Sequence, residues 1–276
     1  LMGYHMVPVC LEAVTAYLLY MLLKRRGNSL CWLAPIIHLS TFTVLSTSDF
    51  ITGVQMATCF TVLGWYFYES DRPLVTGPLF ALSFLTKMYT LPAAAVFGIY
   101  DLVCRRFSSA MRILSGTLIT VAVVITPFLI IAFKPMIEQT VLLHFHRPAG
   151  LVKSEIILFF ASKEWALILL SLPGMWLCRR QPLVPAFIVS CLFFLLFRDL
   201  YFVYLDFFVP FMVVFTLTFV ETIWRNPTAK KGLAIGFLIF LASNTALSNL
   251  SYFQIYQKLG HFSNAPEIAL NVKNCL

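Results

Sequence analysis

Uninterrupted runs of apolar residues, separated by short polar segments, make up most of this chain. A helix needs about 20 apolar residues to cross the ~30 Å hydrocarbon core of a membrane. Strands of a transmembrane barrel would instead alternate apolar and polar residues, and these runs do not alternate. The pattern therefore predicts an all-α, polytopic transmembrane bundle of about ten spans. The predicted bounds are 7–23, 30–46, 51–67, 74–86, 90–104, 113–133, 161–178, 182–197, 203–223 and 232–250.

Two of these spans, 74–86 and 90–104, are too short for a full crossing. We expect them to be half-length helices that meet at a break near Pro92, because proline interrupts a helix. The chain as a whole is expected to form a single transmembrane domain over 1–276. Within it we expect a long outer segment at 134–160 and an outer C-terminal tail at 251–276.

The composition agrees with a membrane protein, since 60% of the residues are hydrophobic and only 12% are charged. A soluble globular domain carries roughly 25% charged residues. So few charges cannot cover a surface that faces water, which excludes a soluble enzyme. The net charge of +8 is typical of Lys and Arg at the cytoplasmic ends of spans, and it does not indicate a nucleic-acid partner.

The basic residues alternate along the chain in a way that predicts topology. Twelve of the 20 fall in every second loop, and by the positive-inside rule these loops face the cytoplasm. Both chain ends then lie outside, so we expect a longer protein with at least one preceding span, in a prokaryotic plasma membrane or the endoplasmic reticulum of a eukaryote. The twelve are Lys24, Arg25, Arg26, Arg72, Arg105, Arg106, Arg112, Arg179, Arg180, Arg225, Lys230 and Lys231.

Asp49 and Lys87 are the two strongest candidates for chemistry on the outer side. Asp49 lies in a very short outer loop, where it could accept a proton or help to hold a divalent metal ion; alternatively it is an N-cap of the next span. Lys87 lies within an apolar stretch, where a lysine is costly. It could bind a phosphate at the predicted break, or simply extend its ammonium group to the interface.

Two further outer segments carry candidate ligand-binding residues. In the first, His144, His146 and Arg147 lie close together, and Arg147 could bind a phosphate in a bidentate manner. A metal on the two histidines requires a strand, where both rings would point the same way. In the second segment, 198–206, Arg198 and Tyr201 could contact a ligand. Alternatively, Arg198 forms an ion pair with Asp199, and Tyr201 belongs to an aromatic belt at the membrane surface.

We interpret three features mainly as structural: Glu12 and His38 inside the spans, and the pair of Asp101 and Arg105 at a helix end. Glu12 is an acidic residue within the first span, which is a functional position by default, although a small shift would place it at the interface. His38 is expected to be a packed, hydrogen-bonded histidine. Asp101 and Arg105 are expected to form an i,i+4 ion pair at a cytoplasmic helix end.

Several of these pieces, in this order, resemble the GT-C membrane glycosyltransferases, especially family 39 and the protein O-mannosyltransferase-like group. The resemblance implies sugar transfer from a polyprenyl-phosphate carrier to an acceptor on the extracytoplasmic face. The family's main catalytic acid, in its first outer loop, has no counterpart in this chain, so the chain alone is expected to lack a complete active site. The segments that carry the resemblance are 20–27, 46–49, 66–73, 77–87, 144–148, 199–204 and 208–210.

By this resemblance, Asp49 matches the family's second outer acidic residue and Lys87 its Leu-Thr-Lys lysine. His144 and Arg147, together with Arg198 and Tyr201, match regions near the donor phosphate. The implied partners are a polyprenyl-phosphate-sugar lipid, the bilayer and an unidentified acceptor. Two other readings remain open, namely a transporter or flippase for a lipid-linked or anionic solute and a non-catalytic membrane scaffold.

Overall fold

The computed structural model describes residues 2–48, 52–138, 152–196, 200–226 and 231–259, and all regular structure in these ranges is helical. Two 3₁₀ segments, Met88–Thr90 and Phe202–Phe208, precede α6 and α11. The helices are α1 (Met2–Arg25), α2 (Leu33–Ser40), α3 (Phe42–Thr47), α4 (Val54–Glu69), α5 (Pro73–Thr86), α6 (Leu91–Val103), α7 (Phe107–Ile131), α8 (Phe133–Ile137), α9 (Lys153–Leu177), α10 (Leu183–Leu196), α11 (Val209–Arg225) and α12 (Lys231–Leu259).

The protein is an all-α, membrane-type helical bundle. Five helical stretches are long and apolar enough to cross a membrane, and shorter apolar helices lie between them. The helices α5, α6 and α10 belong to this shorter class. The five long stretches are Met6–Arg25, Phe107–Ile131, Lys153–Leu177, Phe202–Arg225 and Lys231–Ser251.

Three sequence-based boundaries are wrong. The predicted span 30–46 is two short helices, because Thr41 between them is extended, with φ −60° and ψ 143°. The segment 134–160 includes the first two turns of α9, which begins at Lys153. The tail 251–276 begins inside α12, which continues to Leu259. Apolar residues such as Ile156 and Phe160 are buried, and this packing extends α9 beyond the predicted start.

The core is centred on α11, most of whose side chains are buried. The neighbouring helix α9 packs so closely against it that a Cβ on Gly174 would lie 1.8 Å from the Phe215 carbonyl oxygen. Near α11, the indole of Trp65 stacks on Phe211 with ring centroids 5.8 Å apart. Close backbone contact through small residues is a common means of packing helices in membranes, where the hydrophobic effect does not drive helix association.

The loops predicted to be cytoplasmic meet at one end of the bundle, which we call the basic end. Side chains in or beside each of these loops form hydrogen bonds to another of them, so all five loops are connected by direct contacts. The geometry thus places these loops together, as one consistent orientation requires. The contacts are Arg25 with Ser70, Arg26 with Glu69, Arg106 with Asp71, Tyr100 with the Arg180 carbonyl and Arg225 with the Gly27 carbonyl.

Candidate functional site

Lys87 lies at a break between two short helices at the end of the bundle opposite the basic end. The chain leaves α5 at Lys87 in an extended conformation, with φ −149° and ψ 112°. Helix α5 has 14 residues and is therefore about 21 Å long. A full crossing needs ~30 Å. Helix α5 starts at the basic end, so by its length it ends at Lys87 short of a full crossing.

The half-buried side chain of Lys87 is surrounded by aromatic rings and one loop glycine. Its Nζ lies 5.8 Å from the centroid of the Tyr204 ring, a distance typical of a cation–π contact. Tyr204 also contacts Tyr201 and Tyr89, with ring centroids 5.5 Å and 5.0 Å apart. The structure therefore brings Lys87 and Tyr201, both predicted to be ligand-binding residues, to the same aromatic group.

The loop before α4 also reaches Lys87. Gly53 has φ +75° and contacts the Lys87 chain so closely that a Cβ there would lie 3.4 Å from Lys87 Cε. Gly53 follows Asp49 by four residues in the sequence. The predicted catalytic residue Asp49 itself, together with His144, Arg147 and Arg198, lies outside the described residues, and so does His146.

A second polar centre lies inside the bundle. The Nε2 atom of His38 is 2.8 Å from Glu12 Oε2, and both side chains are almost fully buried. The prediction of a packed, hydrogen-bonded histidine at His38 is therefore confirmed. Glu12 is 2% exposed, so it is an interior residue and does not lie at the interface.

Asp206 is the third member of this centre, which we call the acid–histidine cluster (Glu12, His38 and Asp206). Asp206 is fully buried in the 3₁₀ segment before α11. Its carboxyl group interacts electrostatically with Glu12 and with His38. In the part of the chain that the structure describes, no N–H or O–H group donates to either of its oxygens. The sequence predicts that the segment 198–206 lies on the outer side, and this side assignment stays a prediction.

Glu164 is another buried acid, but its hydrogen bonds are satisfied locally. Its Oε1 accepts from the Thr43 backbone N–H at 2.8 Å and from the Thr43 hydroxyl at 2.9 Å. The backbone at Glu164 departs from helical geometry, with φ −109° and ψ 18°. This kink in α9 therefore coincides with the hydrogen bonds that Glu164 makes to the start of α3.

Tyr89 connects the two polar centres. Its ring contacts Tyr204 beside Lys87, and it also interacts electrostatically with Asp206. Its hydroxyl is buried, with no hydrogen-bond partner among the described residues. Tyr89 therefore lies between the aromatic group beside Lys87 and the acid–histidine cluster.

An apolar groove of about 280 Å³ lies among α5, α6 and α7. Phe84 and Leu91 line it near the Lys87 end, and Leu102 and Ala110 line it toward the basic end. Gly98 and Ala94, the small residues in the middle of α6, also line the groove. A groove with almost no polar lining is suited to a hydrocarbon chain.

The expected ion pair between Asp101 and Arg105 does not form. Asp101 instead accepts a hydrogen bond of 2.6 Å from the Tyr68 hydroxyl, and Arg106 Nε lies 3.4 Å from the same oxygen. Arg105 has φ +59° because α6 has ended at Val103. An i,i+4 pair requires both residues on one continuous helix, so the prediction was wrong.

Within the described residues, no group of three His, Cys, Asp or Glu side chains has an arrangement that could hold a metal ion. Both histidines considered as metal ligands, His144 and His146, lie outside those residues, as does Asp49. The metal prediction therefore stays a prediction.

Comparisons with protein-family models, with characterised proteins and with solved structures found no match.

Proposed function

We propose that this protein takes part in sugar transfer from a polyprenyl-phosphate-linked donor to an acceptor on the extracytoplasmic face of a membrane. The proposal depends chiefly on Lys87. This cation lies at a helix break on the end away from the basic end, and the short helix α5 would hold it at membrane depth. A lipid-linked phosphate carries its charge just where its apolar tail enters the bilayer, so it needs a cation at this depth.

In the proposed sugar transfer, the cation and the carboxylate have different roles. The glycosyl–phosphate bond breaks with the electron pair going to the phosphate, whose growing negative charge a fixed cation stabilises. Lys87 serves this role, aided by Arg147, His144 and Arg198, with Tyr201 packed beside the site. Asp49 accepts the proton of the acceptor hydroxyl or holds a divalent ion. These assignments follow the family resemblance.

The apolar groove supports the same substrate class. Its lining begins at Phe84 and Leu91, three residues before and four residues after Lys87. A prenyl tail could occupy this groove while its phosphate stays near the helix break. The aromatic group around Tyr204 would then exclude water from one side of the phosphate and strengthen its attraction to Lys87.

The test is sugar transfer by the full-length protein in membranes, with a panel of polyprenyl-phosphate sugars as donors. We expect Lys87→Met and Asp49→Asn to lower transfer by roughly a hundredfold or more, the usual effect of removing one group that stabilises charge in the transition state. Lys134→Met is the matched control, because Lys134 is an exposed lysine near the end of α7. Transfer by Lys87→Met at the wild-type rate would contradict the proposal.

Transport of a lipid-linked or anionic solute is a second candidate function, and the buried acids favour it. Ionisable side chains inside membrane bundles commonly mark proton or ion pathways, and broken helices are frequent in transporters. Solute flux into liposomes that depends on Asp206, without any sugar transfer, would support transport instead.

A further inference from the structure

We propose that Glu12, His38 and Asp206 form a proton-binding site in the membrane interior, which exchanges protons with the Lys87 end through Tyr89. This inference goes beyond the proposed glycosyl transfer and does not depend on it. A proton is the ligand that this cluster of two carboxyl groups and an imidazole can bind, without the three-ligand geometry that a metal ion would need.

The first argument concerns charge. The three side chains are between 0% and 2% exposed and come from α1, α2 and the 3₁₀ segment before α11. Among the described residues, no lysine or arginine forms an ion pair with either carboxyl group. Two negative charges in an apolar bundle would be very costly. Bound protons remove that cost.

The second argument concerns hydrogen bonds. Glu12 and Asp206 interact electrostatically, and a proton bound to one carboxyl group would let that group donate a hydrogen bond to the other. Glu12 Oε1, His38 Nδ1 and both Asp206 oxygens have no partner among the residues described. Unpaired buried polar atoms are rare, and here four of them belong to one cluster.

The groups around the cluster supply no compensating positive charge. Cys59 on α4 interacts with Glu12, Tyr89 faces Asp206 from the 3₁₀ segment before α6, and Glu164 on α9 also interacts with Asp206. Cysteine, tyrosine and glutamate side chains are neutral or negative. Every titratable neighbour therefore favours proton uptake by the cluster over loss of its protons.

Glu164 is a buried acid in the same protein that we interpret as structural, and its hydrogen bonds differ from those of Asp206. It is also 2% exposed, but its carboxylate accepts the N–H and the hydroxyl of Thr43. Those hydrogen bonds give one oxygen of the buried carboxyl group two donors. Asp206 receives no such donors within the described ranges, which is why we assign proton binding to the cluster and not to Glu164.

Infrared titration of the full-length protein in lipid nanodiscs tests this assignment directly. A protonated carboxyl group has a C=O stretching band that is separate from the carboxylate bands. We expect such a band in the wild type at neutral pH, and we expect its intensity to fall as the pH is raised. A spectrum with no protonated carboxyl band, or one that does not change with pH, would overturn the proposal.

Three variants identify the residues responsible. Asp206→Asn and Glu12→Gln preserve side-chain shape, and each is expected to remove or shift the titrating band. Glu164→Gln is the matched control and is expected to leave the band unchanged. If the band disappeared only in Glu164→Gln, the assignment to the acid–histidine cluster would be wrong. The wild-type titration decides the proposal even if a variant fails to fold.

The exchange path has its own readout. After transfer into D₂O, the protonated carboxyl band shifts as its proton is replaced by deuterium. We expect Tyr89→Phe to slow this shift at least several-fold, because the hydroxyl that faces Asp206 is lost. Tyr201→Phe, which alters the same aromatic group without facing Asp206, serves as the control. Equal exchange rates in Tyr89→Phe and the wild type would overturn the path through Tyr89.

Discussion

The surroundings of the buried ionisable side chains are determined by residues that lie far away in the sequence. Glu12 and His38 are 26 residues apart, and Asp206 comes from a different part of the chain. Sequence alone marks each as unusual, since charged groups are rare within spans. It cannot show that they meet, because contacts between spans depend on the rotation of each helix. The same limitation explains why the sequence did not indicate that Asp206 is buried beside Glu12 and His38.

The contribution of the hydrogen bond between Tyr68 and Asp101 to stability can be tested with one substitution. Tyr68→Phe removes the hydroxyl that donates to this fully buried carboxyl group, and a buried acceptor without its donor costs about 1–3 kcal/mol. We expect a lower temperature of thermal unfolding in detergent. Tyr17→Phe is the control because Tyr17 is 59% exposed. Equal unfolding temperatures for the Tyr68 variant and the wild type would show that this bond contributes little.

At the scale of elements, hydrophobic runs predict helices well where a helix is straight and uniformly apolar. The predicted span 74–86 corresponds to α5 at Pro73–Thr86, and 203–223 corresponds to the stretch Phe202–Arg225. The break at Thr41 was missed because Ser40, Thr41 and Thr43 are short polar residues that continuous membrane helices also contain. The start of α9 was missed because Lys153 and Glu155 interrupt the apolar pattern there.

Helix packing gives a matched pair of glycine variants. A Cβ on Gly77 would lie 2.3 Å from the Ile113 carbonyl oxygen of α7, whereas a Cβ on Gly98 would meet nothing within 4 Å. We therefore expect Gly77→Ala to force α5 and α7 apart and to lower the unfolding temperature clearly, by an amount typical of overpacking, about 1–3 kcal/mol. Gly98→Ala is expected to be neutral or slightly stabilising. The reverse order would contradict this packing.

For the whole molecule, the sequence predicted a helical membrane protein, and charge alternation predicted which loops share one end. The contacts at the basic end agree with that grouping. The predicted outer site could be tested only at Lys87 and Tyr201, which the structure brings together around Tyr204. The remaining site residues fall outside the described part of the chain, so their convergence on one site stays a prediction.

Native Cys104 tests which side of the membrane the basic end faces. Cys104 is exposed and lies beside Arg105, so the positive-inside rule places it in the cytoplasm. We expect a membrane-impermeant maleimide to label Cys104 only after cells are permeabilised. Glu138→Cys, beyond the far end of α7, is expected to react in intact cells. Labelling with the opposite pattern would reverse the topology.

The short length of α5 has a consequence for the surrounding lipid. Helix α7, which packs against α5, has 25 residues, against 14 in α5, a difference of roughly 16 Å in length. Lipids beside the shorter helix must compress or tilt their acyl chains to match it. A bilayer that follows α5 would therefore be thinner above Lys87, and a head group there could approach the ammonium group without leaving its own leaflet.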